Sequence, residues 1–203
     1  TSPPGRPGLL AVPDGADPVR IALATAADQA VTDQDDAPLL AALRRARHEA
    51  ELLAWDDTSV TWTGFDAVVI RTTWDYHRRR DAFVDWATRV QTVTRLFNSA
   101  EVVRWNTHKS YLLELEERGA PTVPTAWLAR GDRVDLAALA AQRGWRELVL
   151  KPAIGAGGDG IARVLPAEGQ AALDALTAVG DAMVQPYVPT IATAGELSVI
   201  VIA

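Results

Sequence analysis

The sequence predicts an α/β protein whose N-terminal part is an open parallel sheet. Apolar runs at residues 20–24 and 65–71 are typical of buried parallel strands. Apolar residues also recur at helical spacing over residues 37–53 and 81–93. Strands that alternate with helices in this way form a sheet layer covered by helices.

The second half of the chain alternates as well, around a glycine-rich hairpin. After the strand-like pair Leu96-Phe97, we expect a domain boundary near residues 98–105. A helix over residues 107–118 then ends at Gly119, which suits a helix C-terminal cap. The remaining elements are predicted as a strand (125–128), a helix (136–142), the hairpin (147–164), a helix (168–179) and a strand (183–185).

Composition excludes several classes of function. The 203 residues carry a formal net charge of −6, which argues against a general nucleic-acid binder. No cysteine is present, so disulfides and thiolate metal sites are excluded. The three histidines show no metal-ligand spacing, and each is expected at the surface or as a cap. No apolar run is long enough to span a bilayer, so we expect a cytoplasmic protein without membrane partners.

Only two of the twenty basic residues are lysines, Lys109 and Lys151. Because arginine is the default cation of this chain, a position that keeps lysine points to a need for a compact ammonium group. Lys109 is predicted in the first turn of the helix over residues 107–118. Lys151 ends the apolar strand that leads into the glycine-rich loop.

That loop contains four glycines between Gly155 and Gly160 and is followed by a second strand-like run. Glycines permit positive φ and close backbone approach, so successive amides can form a nest for phosphate. A dinucleotide fingerprint needs a helix after the loop, and a protein-kinase loop has its lysine on a later strand. No Gly-Lys-Ser/Thr closes the loop, so it is not a Walker sequence. A mobile surface hairpin stays open as the alternative.

The order of these segments resembles the ATP-grasp superfamily, the fold of glutathione synthetase and D-alanine–D-alanine ligase. An Arg-Thr-Thr-Trp-Asp-Tyr segment at residues 71–76 is similar to a bacterial glutathione-synthetase-like group, which includes an enzyme that closes the ring of the antibiotic cycloserine. The segments that carry the wider resemblance are Asn106-Thr107-His108-Lys109, Leu148-Val149-Leu150-Lys151-Pro152, the glycine loop, Val184-Gln185-Pro186-Tyr187-Val188 and Gly195-Glu196-Leu197-Ser198-Val199.

The resemblance implies a particular domain order. We expect a disordered leader, a pre-ATP-grasp α/β domain, an ATP-grasp α+β region with the glycine loop, and the start of a C-terminal ATP-grasp subdomain, at residues 1–18, 19–98, 99–182 and 183–203. Residues 197–203 read as a buried strand with no element after it. The chain is therefore expected to be a fragment that does not catalyse ligation alone, with the magnesium ligands and the groups that meet an acyl phosphate beyond residue 203.

The resemblance also implies a set of nucleotide contacts. Lys109 and Lys151 would reach the α- and β-phosphates, and the loop would close over the β- and γ-phosphates. The hinge at 185–188 would bind adenine, and Glu196 would accept hydrogen bonds from the ribose, unless it is an ordinary exposed strand carboxylate. The predicted ATP-binding residues are Lys109, Lys151, Gly155, Ala156, Gly157, Gly158, Gln185, Pro186, Tyr187, Val188 and Glu196.

Arg71, Thr73 and Asp75 follow a predicted parallel strand, where open α/β sheets place their ligands. We assign them to the non-nucleotide substrate, with an Arg71–Asp75 salt bridge as the alternative. Members of the family use ATP and Mg²⁺ to phosphorylate a carboxylate, which an amine then attacks. The expected function is an ATP-dependent carboxylate–amine ligase with small-molecule substrates. A phosphotransferase, a non-catalytic nucleotide-binding module and a homodimer stay open, and no catalytic or metal residue is assigned.

Overall fold

The computed structural model describes residues 17–27 and 33–197. The chain separates into two compact units, divided between Val103 and Arg104. This division falls inside a helix, α3, at Ala100–Asn106. The domain limits expected from the sequence stay predictions, and residues 1–16 of the leader expected at 1–18 lie outside the described residues.

The first unit contains a four-stranded, all-parallel sheet of order β2-β1-β3-β4. The predicted open parallel sheet is therefore confirmed. Parallel strands bring their carboxyl ends to one edge, so the residues after β1, β2 and β3 share that edge. The elements before α3 are β1 (Arg20–Thr25), α1 (Asp36–Arg45), β2 (Glu49–Ala54), β3 (Ala67–Thr72), α2 (Arg80–Gln91) and β4 (Arg95–Phe97).

The prediction of one helix over residues 37–53 is wrong in its second half. Helix α1 ends at Arg45, and Arg47 takes a φ of 67° as the chain reverses. The His48 N–H donates to the Leu43 carbonyl at 3.0 Å, which closes the helix end. Residues Glu49–Ala54 then pair with β1 along their whole length. Leucine and alanine occur in both helices and strands. Pairing with β1, and not residue type, therefore makes this segment a strand.

The core of the first unit is aromatic on the side covered by α2. Phe83, Trp86 and Val90 of that helix are each at most 3% exposed. Trp55, which follows β2, meets the Phe83 ring edge-on with centroids 5.1 Å apart. This packing fixes the chain just after β2, at the carboxyl edge of the sheet.

The second unit contains a sheet of order β5-β8-β6-β7 in which every pairing is antiparallel. The glycine-rich hairpin joins β6 to β7 as predicted. The elements after α3 are α4 (Tyr111–Glu117), β5 (Ala126–Leu128), α5 (Leu136–Arg143), β6 (Leu148–Pro152), β7 (Ala162–Val164), α6 (Gln170–Val179), β8 (Ala182–Pro186) and α7 (Ile191–Ala194).

The predicted helix over residues 107–118 is also interrupted. Helix α3 ends at Asn106 and α4 begins at Tyr111, so Lys109 lies in the link between them and not in a first helical turn. The Lys109 N–H donates to the Ala153 carbonyl at 2.8 Å. The Lys109 backbone is therefore tied to the segment just after β6 and not to a helical turn. Gly119 has a φ of 87°, as expected for the residue that ends α4.

One face of the antiparallel sheet packs on α5 and α6. Leu148 and Leu150 of β6 and Val184 of β8 are fully buried there, together with Leu136 and Leu173 of the two helices. Side chains alternate along a strand, so the residues between these leucines project from the opposite face. That second face carries the candidate site.

Within the described ranges, no helix is long and apolar enough to cross a membrane. The strand expected at residues 197–203 cannot be assigned from the described part, where Leu197 is 89% exposed and lies outside any strand. Residues 198–203 lie outside the described residues.

Candidate functional site

Two lysines meet at the glycine loop. The Lys109 Nζ donates to the Gly155 carbonyl at 3.0 Å, although the two residues are 46 positions apart. Lys151 lies on β6, four residues before Gly155, and both lysines are half-buried. The structure therefore brings together the two lysines of the chain and the loop that the sequence singles out.

The electrostatics of this pair favour an anion. Burial lowers the pKa of Lys109 below the usual lysine range, and the positive charge of Lys151 lowers it further. Among the described residues, neither lysine forms an ion pair with a carboxylate within 4.0 Å. An anion between the ammonium groups would remove their mutual repulsion. A phosphate chain has the charge and the acceptor oxygens for this.

The loop leaves its outer side open. Gly157 and Gly158 have φ values of 61° and 81°, and a Cβ built on either would meet nothing within 4 Å. Gly155 is in a close approach instead, because a Cβ there would lie 2.9 Å from the Pro152 Cγ and 3.8 Å from the Lys109 Nζ. The loop thus combines an exposed tip with a tight base against Lys109. Ala156 is half-buried between the two parts.

The face of the sheet that carries Lys151 continues along β8. Lys151 pairs with Met183, and Val149 pairs with Gln185. Tyr187 follows two residues after Gln185, so the alternation places its side chain on the same face. Four residues at about 3.3 Å each put the Tyr187 position about 13 Å along the strand from the lysine pair. This spacing suits an extended nucleotide with phosphates at one end and its base at the other.

Hydrogen bonds to neighbouring strands already occupy some of the polar groups in residues 185–188. The Gln185 side chain is buried and donates to the Thr125 Oγ1 at 2.8 Å. The Tyr187 N–H donates to the Glu147 carbonyl at 2.8 Å. In a planar trans peptide the preceding carbonyl points the opposite way, so the Pro186 oxygen is directed away from β6. Val188 is exposed. The carbonyl that the sequence assigns to adenine is therefore turned outward from the β6–β8 ladder.

Tyr187 also has a partner that the sequence analysis missed. The Arg163 guanidinium lies over its ring, 3.6 Å from the centroid. Arg163 pairs with Glu147 through two hydrogen bonds, of 2.6 and 3.0 Å. Hydrogen bonding to Arg163 lowers the pKa of Glu147, and the same contact raises the pKa of Arg163. Arg163 lies on β7 opposite Val149 of β6. The pairing of these two strands is therefore the signal that could have related Arg163 to Glu147 and Tyr187.

His108 contributes to the placement of Lys109. Its Nδ1 accepts from the Ser110 N–H at 3.2 Å, just before α4, whose N-cap has no side-chain hydrogen bond. Its Nε2 lies 3.4 Å from the Asp181 Oδ2, and the Asp181 carbonyl accepts from the Ala153 N–H at 2.8 Å. Ala153 in turn holds the Lys109 backbone. Asp181 was not singled out from the sequence, because its role depends on contacts with distant residues.

Glu196, assigned to ribose, lies two residues after α7 and is exposed. It follows Gly195, whose φ is 72°, and it lies outside any strand. The alternative of a strand carboxylate is therefore wrong about the strand. The ribose assignment stays a prediction.

The residues assigned to a second substrate lie in the first unit. Arg71 pairs with three aspartates that precede or begin α1, at 3.5, 3.7 and 3.4 Å from Asp33, Asp35 and Asp36. Asp75 instead accepts from the Trp55 Nε1 and from Arg79, at 2.9 and 2.8 Å. The expected alternative, a salt bridge between Arg71 and Asp75, is therefore wrong.

Thr73 is buried at the carboxyl edge of the parallel sheet. Thr73 and Asp75 follow β3 as predicted, whereas Arg71 lies inside the strand, one residue before its end. The Asp-Gln-Asp-Asp run at residues 33–36 was the available signal for the partners of Arg71.

Comparisons with known proteins identify relatives of this chain. The family described as the N-terminal domain of the D-cycloserine synthetase DcsG matches residues 21–98. The cycloserine biosynthesis protein DcsG of Streptomyces lavendulae is 36% identical over 183 residues, which cover 87% of this chain and 61% of that protein. The crystal structure of D-cycloserine synthetase DcsG superposes with a TM-score of 0.78 and 34% identity, covering 87% of this chain and 62% of that one. The chain has the ATP-grasp fold and is similar to cycloserine synthetase.

A second solved structure shares the fold over most of this chain. The RimK domain ATP-grasp protein from Sphaerobacter thermophilus superposes with a TM-score of 0.61 at 22% identity, over 84% of this chain and 65% of that one. The predicted fold class, a parallel sheet followed by an ATP-grasp region, is confirmed. The chain spans about three fifths of the length of DcsG.

The described part of the chain lacks a cluster of side chains suited to hold a metal ion. Residues 17–27 and 33–197 contain no group of three or more His, Asp or Glu side chains that could hold a metal ion. Lysine ammonium groups and loop amides fit phosphates, whereas Mg²⁺ takes oxygen ligands from waters, phosphates and one or two carboxylates.

Proposed function

We propose that this chain forms the nucleotide-binding part of an ATP-dependent carboxylate–amine ligase that works through an acyl phosphate. The observation that carries the proposal is the Lys109–Lys151 pair at the glycine loop. Lys109 is bonded to the loop at Gly155, and its pKa is lowered by burial and by the second lysine. Two cations held together without a carboxylate partner among the described residues favour a polyphosphate over a single small anion.

The proposed nucleotide is ATP, taken up with Mg²⁺. Its phosphates would lie between Lys109 and Lys151 beneath the loop at 155–158, and its base would lie along β8 toward Pro186 and Tyr187. The support is the shared sheet face and the outward Pro186 carbonyl. Magnesium supplies further compensation for the charge on the transferred phosphoryl group. We assign no residue of this chain to the metal.

The proposed reaction has two steps. A substrate carboxylate oxygen attacks the γ-phosphorus, the bond to the β–γ bridging oxygen breaks, and ADP leaves. An amine then attacks the acyl carbon and loses a proton, and inorganic phosphate leaves with the electron pair of the broken C–O bond. Lysines and loop amides that are already in position would stabilise the charge that develops in the first step.

We propose an amino-acid-like substrate, with the amine on the same molecule or on a second one. The support is the 36% identity to a cycloserine biosynthesis protein. Arg71, Thr73 and Asp75 at the edge of the parallel sheet are the proposed contacts. Because Arg71 and Asp75 already have ionic partners, a substrate would join an existing charge network. A cytoplasmic role in antibiotic biosynthesis and a homodimer are part of the same proposal.

Hydroxylamine trapping tests the reaction. The full-length natural protein, supplied with ATP, Mg²⁺, hydroxylamine and single amino acids, is expected to give a hydroxamate with release of ADP for at least one amino acid. ADP release with a stable phosphorylated product and no hydroxamate would favour a phosphotransferase. ATP binding with no ADP release under any condition would favour a non-catalytic binding module.

A further inference from the structure

Arg163 holds the side chain at the base end of the candidate site. Its guanidinium lies 3.6 Å from the centroid of the Tyr187 ring and forms two hydrogen bonds with Glu147. Glu147 also accepts the Tyr187 N–H through its backbone carbonyl at 2.8 Å. Three segments, on β7, before β6 and after β8, are thus joined around one aromatic ring.

A surface ion pair alone would not need this arrangement. The Arg163 side chain is 54% exposed, and exposed pairs contribute little to stability. The distinctive feature is that one planar group both stacks on the ring and forks onto Glu147. Each contact removes a degree of freedom from Tyr187, since its backbone is fixed by Glu147 and one ring face is covered by the guanidinium.

The position of this cluster indicates which part of a ligand it would contact. Arg163 is opposite Val149 in the β6–β7 register, and Val149 is opposite Gln185 in the β6–β8 register. The cluster therefore lies on the sheet face that carries Lys151, at the far end from the glycine loop. A group at this end would influence a base and not a phosphate chain.

We propose that Arg163 is a positioning residue for the base of the nucleotide, acting through Tyr187 and Glu147. The proposal rests on the proposed function, because it requires a nucleotide along β8. A lysine cannot replace the arginine here, since an ammonium group has neither a planar face for the ring nor a fork for the carboxylate. The cluster thus contributes to selection of a nucleoside over a bare polyphosphate.

Calorimetric titration with two probes tests this role. ADP carries a base and inorganic tripolyphosphate does not. Arg163→Ala is expected to weaken ADP binding roughly three- to tenfold, the range for losing a cation–π and fork contact at an exposed site, with tripolyphosphate affinity unchanged. Arg163→Lys is expected to behave like Arg163→Ala. Arg146→Ala is the matched control, because it removes an exposed arginine beside Glu147 and should change neither affinity.

Each other outcome overturns the positioning role. Equal losses for both probes would mean that Arg163 acts through net charge or the fold. Full ADP affinity in Arg163→Ala, or rescue by Arg163→Lys, would show that the fork and the stack are not required. Glu147→Gln, which removes the charge of the carboxylate, should give the same selective loss even if Arg163→Ala folds poorly. If the wild type binds tripolyphosphate but not ADP, the proposed function fails and this role fails with it.

Discussion

Replacing Lys151 with alanine is expected to weaken ADP binding by about 10- to 150-fold. A hydrogen bond to a charged group contributes about 1.5–3 kcal/mol, which corresponds to that range in Kd. Lys151 is half-buried and projects from the face of β6 opposite the one that packs on α5 and α6. The fold should therefore survive the substitution. Removal of a like charge near Lys109 should also let the pKa of Lys109 rise toward its usual range.

Titration calorimetry of the wild type and Lys151→Ala at one salt concentration measures this effect. The shift in melting temperature with ADP reports the same affinity by mass action. Arg118→Ala is a control for net charge, because it removes an exposed cation just after α4 in the same unit. Equal ADP affinity in the wild type and Lys151→Ala would remove Lys151 from the site.

Replacing Leu150 with alanine is expected to lower the free energy of unfolding by about 2–5 kcal/mol. Leu150 is fully buried and pairs with Val184 at the centre of the antiparallel sheet. Truncation removes apolar contacts with the layer of α5 and α6 and leaves a cavity. The expected loss is a large fraction of the stability of a small domain.

Urea unfolding followed by circular dichroism measures the loss. Leu165→Ala is the matched control, because Leu165 is 49% exposed just after β7 and should change the free energy of unfolding by less than about 0.5 kcal/mol. Leu150→Ala that remains folded at low temperature should still bind ADP. A loss of binding without a loss of stability would contradict the assignment of the two faces of β6.

Much of the fold could be predicted because its local signals are strong. The apolar run of β3, the spacing of α2 and the glycine-rich hairpin each carry their own pattern, and all three are confirmed. Strand β2 could not be predicted, because its leucines and alanines also suit a helix and its pairing partner lies about 29 residues upstream. The positive φ of Arg47, just after α1, could not be predicted either, because among residue types it is glycine that indicates such a conformation.

The candidate site divides in the same way. The lysines and the loop could be predicted because residue type and spacing point to phosphate chemistry, and the structure brings Lys109 to Gly155. The partners that hold these groups could not be predicted. Arg163 meets Tyr187 only through strand register, and His108 meets Asp181 across 73 positions of sequence. Such contacts depend on how the strands pair and not on local residue type.

Nuclear magnetic resonance of the protein labelled with ¹³C-lysine tests the central claim most directly, because the chain has only two lysines to observe. Without ligand, the Lys109 signal should titrate below the usual lysine pKa of about 10.4. Addition of ADP should shift both lysine signals and raise the pKa of Lys109, since a nearby negative charge favours the ammonium form. ADP that leaves both signals and the pKa unchanged would contradict a nucleotide site between Lys109 and Lys151.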